Sequence, residues 1–266
     1  MPAVPVDPTL VERRLADREV PWPPPRVVPS TGSTNADVLE LARDGAPEGT
    51  VVVADEQTSG RGRRGRAWVS PPGAGLWFSV LVRMAPDRDR QLLPLLAGVA
   101  VVEACRRRGA EAVLKWPNDV IIDAAAHDGT PGPRKLAGIL AEGDGADAVV
   151  IGIGVNVSQE SEDLPAPTAT SLLLEGVTAT RDELLVDILT VLFTALSDLR
   201  REGGALAIDA YRQRCVTVGR QVTVRLPSGE DLAGLAVGVG DDGHLHVKTA
   251  EKTVSVAAGD VIHATI

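Results

Sequence analysis

Lysine is scarce in this chain of 266 residues: of 27 basic side chains only four, Lys115, Lys135, Lys248 and Lys252, are lysine. Where composition runs so strongly to arginine, a surviving lysine suits a place that needs a compact charge on a flexible stem rather than a planar fork. Aromatic residues make up only 3% of the chain. Its two cysteines, Cys105 and Cys215, cannot build a disulfide framework and read as reduced, buried thiols, which points to the cytoplasm. Excess positive charge is also lacking. A net charge of −9 argues against a protein that coats nucleic acid, since such binding rests on phosphate neutralisation, so any polyanion site must be local. No apolar run approaches bilayer-crossing length, and "MPAVPVDPTLVERR" lacks the basic start, apolar stretch and cleavage site of an export signal; a soluble protein without a membrane partner is expected. What remains, 44% hydrophobic and 24% charged, fits one large domain and at most one small one.

Residues 1–25, ending in "PWPPP", predict an extended, polyproline-like arm. A larger domain follows over residues 26–215. "STGSTN" supplies cap residues for a helix in "ADVLELARDG". "GTVVVADEQ" and "GAGLWFSVLVRM" read as strands, and "DRQLLPLLAGVAVVEACRRRG" as a buried helix with Pro94 in its first turn. Three more strands are predicted in "AVLKWPNDVII", "RKLAGILAE" and "DAVVIGIGVNV", the loop "DAAAHDGTPGPR" between them being mobile. A long helix begins after Thr180, where Glu183 completes a capping box, and "LAIDAYRQRC" forms another. Residues 216–266 change texture to five short, evenly spaced strands without helix, the pattern of a small antiparallel barrel.

The stretch "TSGRGRRGRAW" contains a G-x-G-x-x-G in Gly60, Gly62 and Gly65. A dinucleotide fingerprint needs a helix opening at the third glycine, and "RAWVSPPGAG" excludes one; no G-K-[ST] follows to make a P-loop. Arg61, Arg63, Arg64 and Arg66 then form either a solvated surface loop or a closing loop whose glycines allow close approach and whose guanidinium groups meet phosphate or carboxylate. Other segments bear on the choice. "KWPNDV" sets Lys115, Trp116, Asn118 and Asp119 where Pro117 interrupts a ladder. "KLAGIL" has Lys135 entering an apolar strand with Gly138 beside it, and "GIGVNV" places Gly152, Gly154 and Asn156 in another. Glycine in a core strand marks the close approach of a backbone or a ligand.

In this order, "STN", "GRGRRGRAW", "KWPND", "KLAGIL", "GIGVN" and a closing "AGDV", the chain resembles the biotin protein ligases over most of residues 30–262. The resemblance implies an α+β fold: a mixed α/β sheet of the class II aminoacyl-tRNA synthetase and biotin ligase kind, followed by an SH3-like barrel. It implies ATP-dependent activation of biotin to biotinyl-5′-AMP, then transfer to a lysine of a biotin carboxyl carrier domain of an acyl-CoA or pyruvate carboxylase. Many relatives carry an N-terminal DNA-binding domain; with fewer than thirty residues ahead of the catalytic domain here, monofunctional ligase activity and no operator binding are expected.

By the same resemblance Ser33, Thr34, Asn35, Gln57, Gly60, Arg61, Gly62, Arg63, Lys135, Gly138 and Gly152 bind biotin, with Lys135, Arg63 and Arg61 at the reacting groups. Arg64, Arg66, Trp68, Lys115, Asn118, Asp119, Gly154 and Asn156 bind ATP. Trp68 packs near adenine or belongs to the core, and Asp119 either faces Mg²⁺ or holds Lys115. Residues 158–170 form a second loop on the nucleotide side. A loop over residues 60–68 that orders on anionic ligands would shield an acyl phosphate from water. Such a reaction needs positioning and charge neutralisation rather than a protein nucleophile, in keeping with the lack of a triad signal. The four histidines read as structural or surface residues. A lipoate or octanoate ligase is the enzymatic rival, and a biotin-binding regulator the rival of another class.

Overall fold

The structure, a computed structural model, describes residues 4–86, 89–124 and 133–263; the expected mobile loop with His127 falls largely outside them. The first element is unlike the predicted extended arm. Asp7 accepts hydrogen bonds from the N–H groups of Thr9 and Leu10 and caps helix α1 (Pro8–Ala16), with Pro8 in its first turn. Val11 and Leu15 are buried, and the proline tract after the helix buries Trp22 edge-on against Phe193 at 5.7 Å. The Asp-Pro start was the overlooked signal: it begins a helix as readily as the later prolines prevent one.

A parallel unit follows: β1 (Arg26–Thr31), α2 (Thr34–Arg43) and β2 (Val51–Gln57). β1 was not foreseen, because Pro29 and its half-exposed residues hide the alternation of an edge strand. β3 (Gly75–Arg83) pairs antiparallel with β2 and is buried almost throughout, and α3 (Leu93–Arg106) is apolar around most of its circumference, as a helix within the core must be.

"AVLKWPNDVII" is two strands, β4 (Ala112–Lys115) and β5 (Asp119–Ile122), joined at a cis Trp116–Pro117 bond. β6 (Arg134–Gly143) and β7 (Ala148–Asn156) complete a seven-stranded sheet of order β1-β2-β3-β7-β6-β5-β4. Helix α4 (Arg181–Glu202) is capped by Thr180, whose hydroxyl accepts from Glu183 N at 3.3 Å, and α5 (Gly204–Arg212) follows. Among the described residues no helix is long and apolar enough to cross a membrane.

The sheet has two unequal faces. Alternate residues of β2, β3 and β7 (Val51, Val53, Phe78, Val80, Ile151, Ile153) join α1, α3 and α4 in the main core. The opposite residues Val52, Leu81 and Val150 pack under α2 in a second, smaller cluster. Since α2 packs on β2, β3 and β7, it leaves the rest of that face, over β5 and β6, clear of its own cover.

The terminal unit has the five strands expected: β8 (Gln221–Arg225), β9 (Asp231–Val239), β10 (Leu245–Lys248), β11 (Thr253–Val256) and β12 (Asp260–His263), in the order β11-β10-β9-β8-β12. It is tied to the main sheet. Val216 N donates to Leu114 O at 2.9 Å, and buried Trp116 donates through Nε1 to Gly243 O at 3.0 Å.

Candidate active site

Register builds the site. Across the face that carries α2, Trp77 opposes Gly154, Gly154 opposes Gly138, Gly138 opposes Asp119 and Asp119 opposes Lys115, one residue from each of five strands. Beside this row Ser79, Gly152 and Leu140 form a second. The glycines make a trough, and in this structure side chains lie in it. Trp68 lies across the first row: a Cβ on Gly154 would stand 2.5 Å from its Nε1, and one on Gly138 3.0 Å from its ring. Asn35 lies against Gly152 so closely that any Cβ there would overlap its amide.

At one end is a chain of hydrogen bonds set by the start of α2. Ser33 is the cap residue, makes no side-chain capping bond, and is among the residues that line the trough. Gln57 Oε1 accepts from Thr34 N at 2.9 Å and from Thr34 Oγ1 at 3.1 Å, while Gln57 Nε2 donates to Ser70 Oγ at 3.0 Å. Thr34 Oγ1 and Ser79 Oγ are 2.7 Å apart, Ser79 donates to Asn35 Oδ1 at 2.6 Å, and Asn35 Nδ2 donates to Glu142 Oε2 at 2.6 Å. Arg61 closes the chain on Glu142 at 3.3 Å.

At the other end stand the cations. Lys135 Nζ is 2.5 Å from Asp119 Oδ1 and lies over the Trp68 ring, 5.4 Å from its centroid. Lys115, next along the row, is mostly buried; desolvation holds its ammonium below the usual lysine range, and the nearby Lys135 charge adds to this while Asp119 and Asp260 oppose it. Trp68 stands edge-on to Trp77 at 6.1 Å, and its buried Nε1 has no partner among the described residues. The remaining free volume is about 50 Å³, against roughly 300–1,000 Å³ for ordinary ligand pockets. Binding therefore requires the loop and Trp68 to yield.

The glycine-arginine loop is folded rather than open. Gly62 N donates to Arg66 O at 2.6 Å, Trp68 N to Gly60 O at 2.8 Å, and Arg63–Gly65 form a 3-10 turn. Arg63 donates to Asn118 Oδ1 at 3.0 Å, joining the loop to the "KWPND" hairpin, and Asn118 donates in turn to Ile139 O at 2.7 Å.

The Biotin/lipoate A/B protein ligase family model matches residues 26–156, and the Biotin protein ligase C terminal domain model matches residues 217–264. The biotin–[acetyl-CoA-carboxylase] ligase of Mycobacterium tuberculosis is 41% identical, the match covering 96% of each chain. The chain belongs to the biotin protein ligase family. Its fold superposes on the Aquifex aeolicus biotin protein ligase in complex with biotin and ATP with a TM-score of 0.76 at 27% identity, covering 90% of this chain and 98% of that one. The Leishmania major biotin protein ligase with biotinyl-5-AMP gives 0.58 at 28% identity, covering 92% and 99%.

For this member of the biotin protein ligases, the structure gathers Ser33, Thr34, Asn35, Gln57, Arg61, Gly62, Trp68, Asn118, Lys135, Gly138, Gly152 and Gly154 around one trough. Lys115, Asp119 and Arg66 line an adjoining cavity of about 280 Å³ against the barrel. Asn156 turns elsewhere: its amide donates to Thr170 O at 2.8 Å and accepts from Gln159 at 3.0 Å, fixing the segment after β7. That segment, expected to be a loop near the nucleotide, is tied to the start of β6, with Lys135 N donating to Thr168 O at 2.7 Å and Thr170 N to Lys135 O at 2.9 Å. Asp119 holds Lys135 rather than Lys115. Among the described residues no three His, Cys, Asp or Glu side chains could share a metal.

Ser70, Ser79, Glu142 and Asp260 were missed by sequence reasoning. The first three sit in ordinary strand or loop text. Asp260 lies in the quoted "AGDV", but nothing there tells which arginines it meets.

Proposed function

We propose that this ligase activates biotin with ATP to biotinyl-5′-AMP and transfers the biotinyl group to a lysine of a carboxylase carrier domain. The observation that carries the reading is Lys135, whose ammonium lines the polar-ended glycine trough and pairs with Asp119, a residue of the second, cation-rich cavity. In the first half-reaction a carboxylate oxygen of biotin attacks the α-phosphorus and pyrophosphate leaves. In the second, an uncharged amine attacks the acyl carbon, AMP leaves, and the amine loses its proton.

The residues divide the work by chemistry. The Thr34–Gln57–Ser79–Asn35 network offers donors and acceptors to a ureido ring, and glycines 138, 152 and 154 let a flat bicycle lie against the sheet. Lys135 leaves Asp119 to follow negative charge from carboxylate to phosphate; a flexible stem suits this better than a guanidinium fork. Arg61 and Arg63 close over the acyl phosphate and exclude water. Trp68, displaced from the glycines, becomes a stacking surface for adenine.

The expected magnesium does not fit here as a resident ion. The two carboxylates of the cavity are already engaged, Asp119 by Lys135 and Asp260 by Arg64 and Arg66, with Lys115 close by, so no resident ion is placed there and no step is assigned to it. The buried, unpaired thiols of Cys105 and Cys215 suit a cytoplasmic setting.

The test is ATP turnover to AMP and pyrophosphate with biotin, lipoate, octanoate or no acid, before any carrier is added. Biotin-dependent turnover is expected. Turnover with lipoate or octanoate alone would move the chain to the sister activity, and biotin binding without turnover would favour a sensor.

A further inference from the structure

The loop that closes the trough is held from the opposite domain. Asp260, the first residue of β12, receives three of its four arginines: Arg66 at 2.9 Å, Arg64 at 3.3 Å and Arg63 at 4.0 Å. Barrel backbone adds two acceptors, Gly259 O for Arg63 at 3.3 Å and Arg225 O for Arg64 at 3.1 Å. Arg64 stands in the left-handed region at φ 56°, unfavourable for a non-glycine residue and so dependent on outside support. The barrel's own arginine nearby, Arg225, is occupied by Asp231 at 3.0 Å, which leaves Asp260 to the loop.

We infer that Asp260 is a positioning residue for nucleotide binding: it pins the arginine loop to the barrel, so that the Arg66 guanidinium already lines the cavity it shares with Lys115 and Asp119 when phosphates arrive. One carboxylate facing three arginines leaves excess positive charge, so pinning does not cancel the attraction for a polyphosphate. The pairs are partly exposed, each weak by itself and screened by salt, so the loop is held firmly enough to be placed and loosely enough to shift onto phosphate. The barrel thereby gains a stated part in the reaction. This inference rests on the ligase reading for its kinetic consequence, though not for its structural one.

The experiment compares wild type with Asp260→Asn and Asp260→Glu. Trypsin cuts after arginine, so cleavage at Arg63, Arg64 and Arg66 in the ligand-free protein reports pinning without any activity. Asp260→Asn is expected to speed that cleavage about tenfold, and wild type in high salt to move towards it. With biotin saturating, Asp260→Asn should raise the KM for ATP by about tenfold and leave kcat within about twofold, and Asp260→Glu should recover much of both effects. Unchanged cleavage, or faster cleavage with an unchanged KM, overturns the inference. If Asp260→Asn does not fold, the salt response of wild-type cleavage decides: protection indifferent to salt overturns it. Wild type that turns over ATP with no acid would refute the ligase reading instead, while the cleavage assay still reports the pinning.

Discussion

The indole of Trp68 occupies the space that a side chain at Gly154 would need, with Nε1 2.5 Å from the position of a Cβ there. The glycine is thus explained by the protein's own tryptophan before any ligand is considered. Gly154→Ala should force the ring off the sheet without disturbing the ladder on either side. An altered tryptophan emission and a stability loss of about 1–3 kcal/mol in denaturant unfolding are expected, the cost of an extra methyl in a packed contact. Emission and stability identical to wild type would show that Trp68 has room to spare.

Lys135→Met should abolish most adenylate formation, by about 10²–10³-fold in pyrophosphate exchange, the scale of losing one charge-stabilising group. Lys135→Arg should recover only part of it, because a planar fork cannot follow the moving charge while avoiding Trp68.

Glu142 joins Asn35 to Arg61, so Glu142→Ala should affect the biotin end rather than the nucleotide end. The KM for biotin is expected to rise about tenfold with little change for ATP, and denaturant unfolding should show a loss of about 1 kcal/mol, the Asn35 amide keeping only its longer bond to Leu140 O at 3.3 Å. Equal effects on both substrates would place Glu142 elsewhere in the mechanism.

His263 is pushed down to about 4, first by burial and then by the charges of Lys115 and Arg220, with Asp123 opposing. Because the folded protein resists the proton that the unfolded chain accepts, stability is retained above the ordinary histidine value of 6.5 and falls as pH drops from there towards about 4. Partial exposure keeps the effect to about 1 kcal/mol. His263→Gln should flatten that limb of the pH–stability curve measured by urea unfolding.

Cys105 is fully buried and its thiol is pushed up to about 12 by desolvation, partly countered by Arg108. The native protein should leave Cys105 unmodified by a maleimide at neutral pH, and urea should expose it.

The sequence by itself determined the two-part organisation, the barrel strands and the long helices, and it singled out segments that the fold brings around one trough. These are local matters: hydrophobic period, capping residues, glycine and proline placement, and the scarcity that made Lys135 conspicuous. It even held the signal for α1, in Asp7 and Pro8, beside prolines that pointed the other way. Tertiary structure alone decided the rest, because register brings together residues far apart in the chain. Only pairing across five strands sets Trp77, Gly154, Gly138, Asp119 and Lys115 in one row. Only the packing of α2 on β2, β3 and β7, which leaves the glycines of that row to Trp68, makes it a trough. Only the docking of the barrel chose, among 36 acidic residues, Asp260 as the carboxylate that the arginine loop would meet.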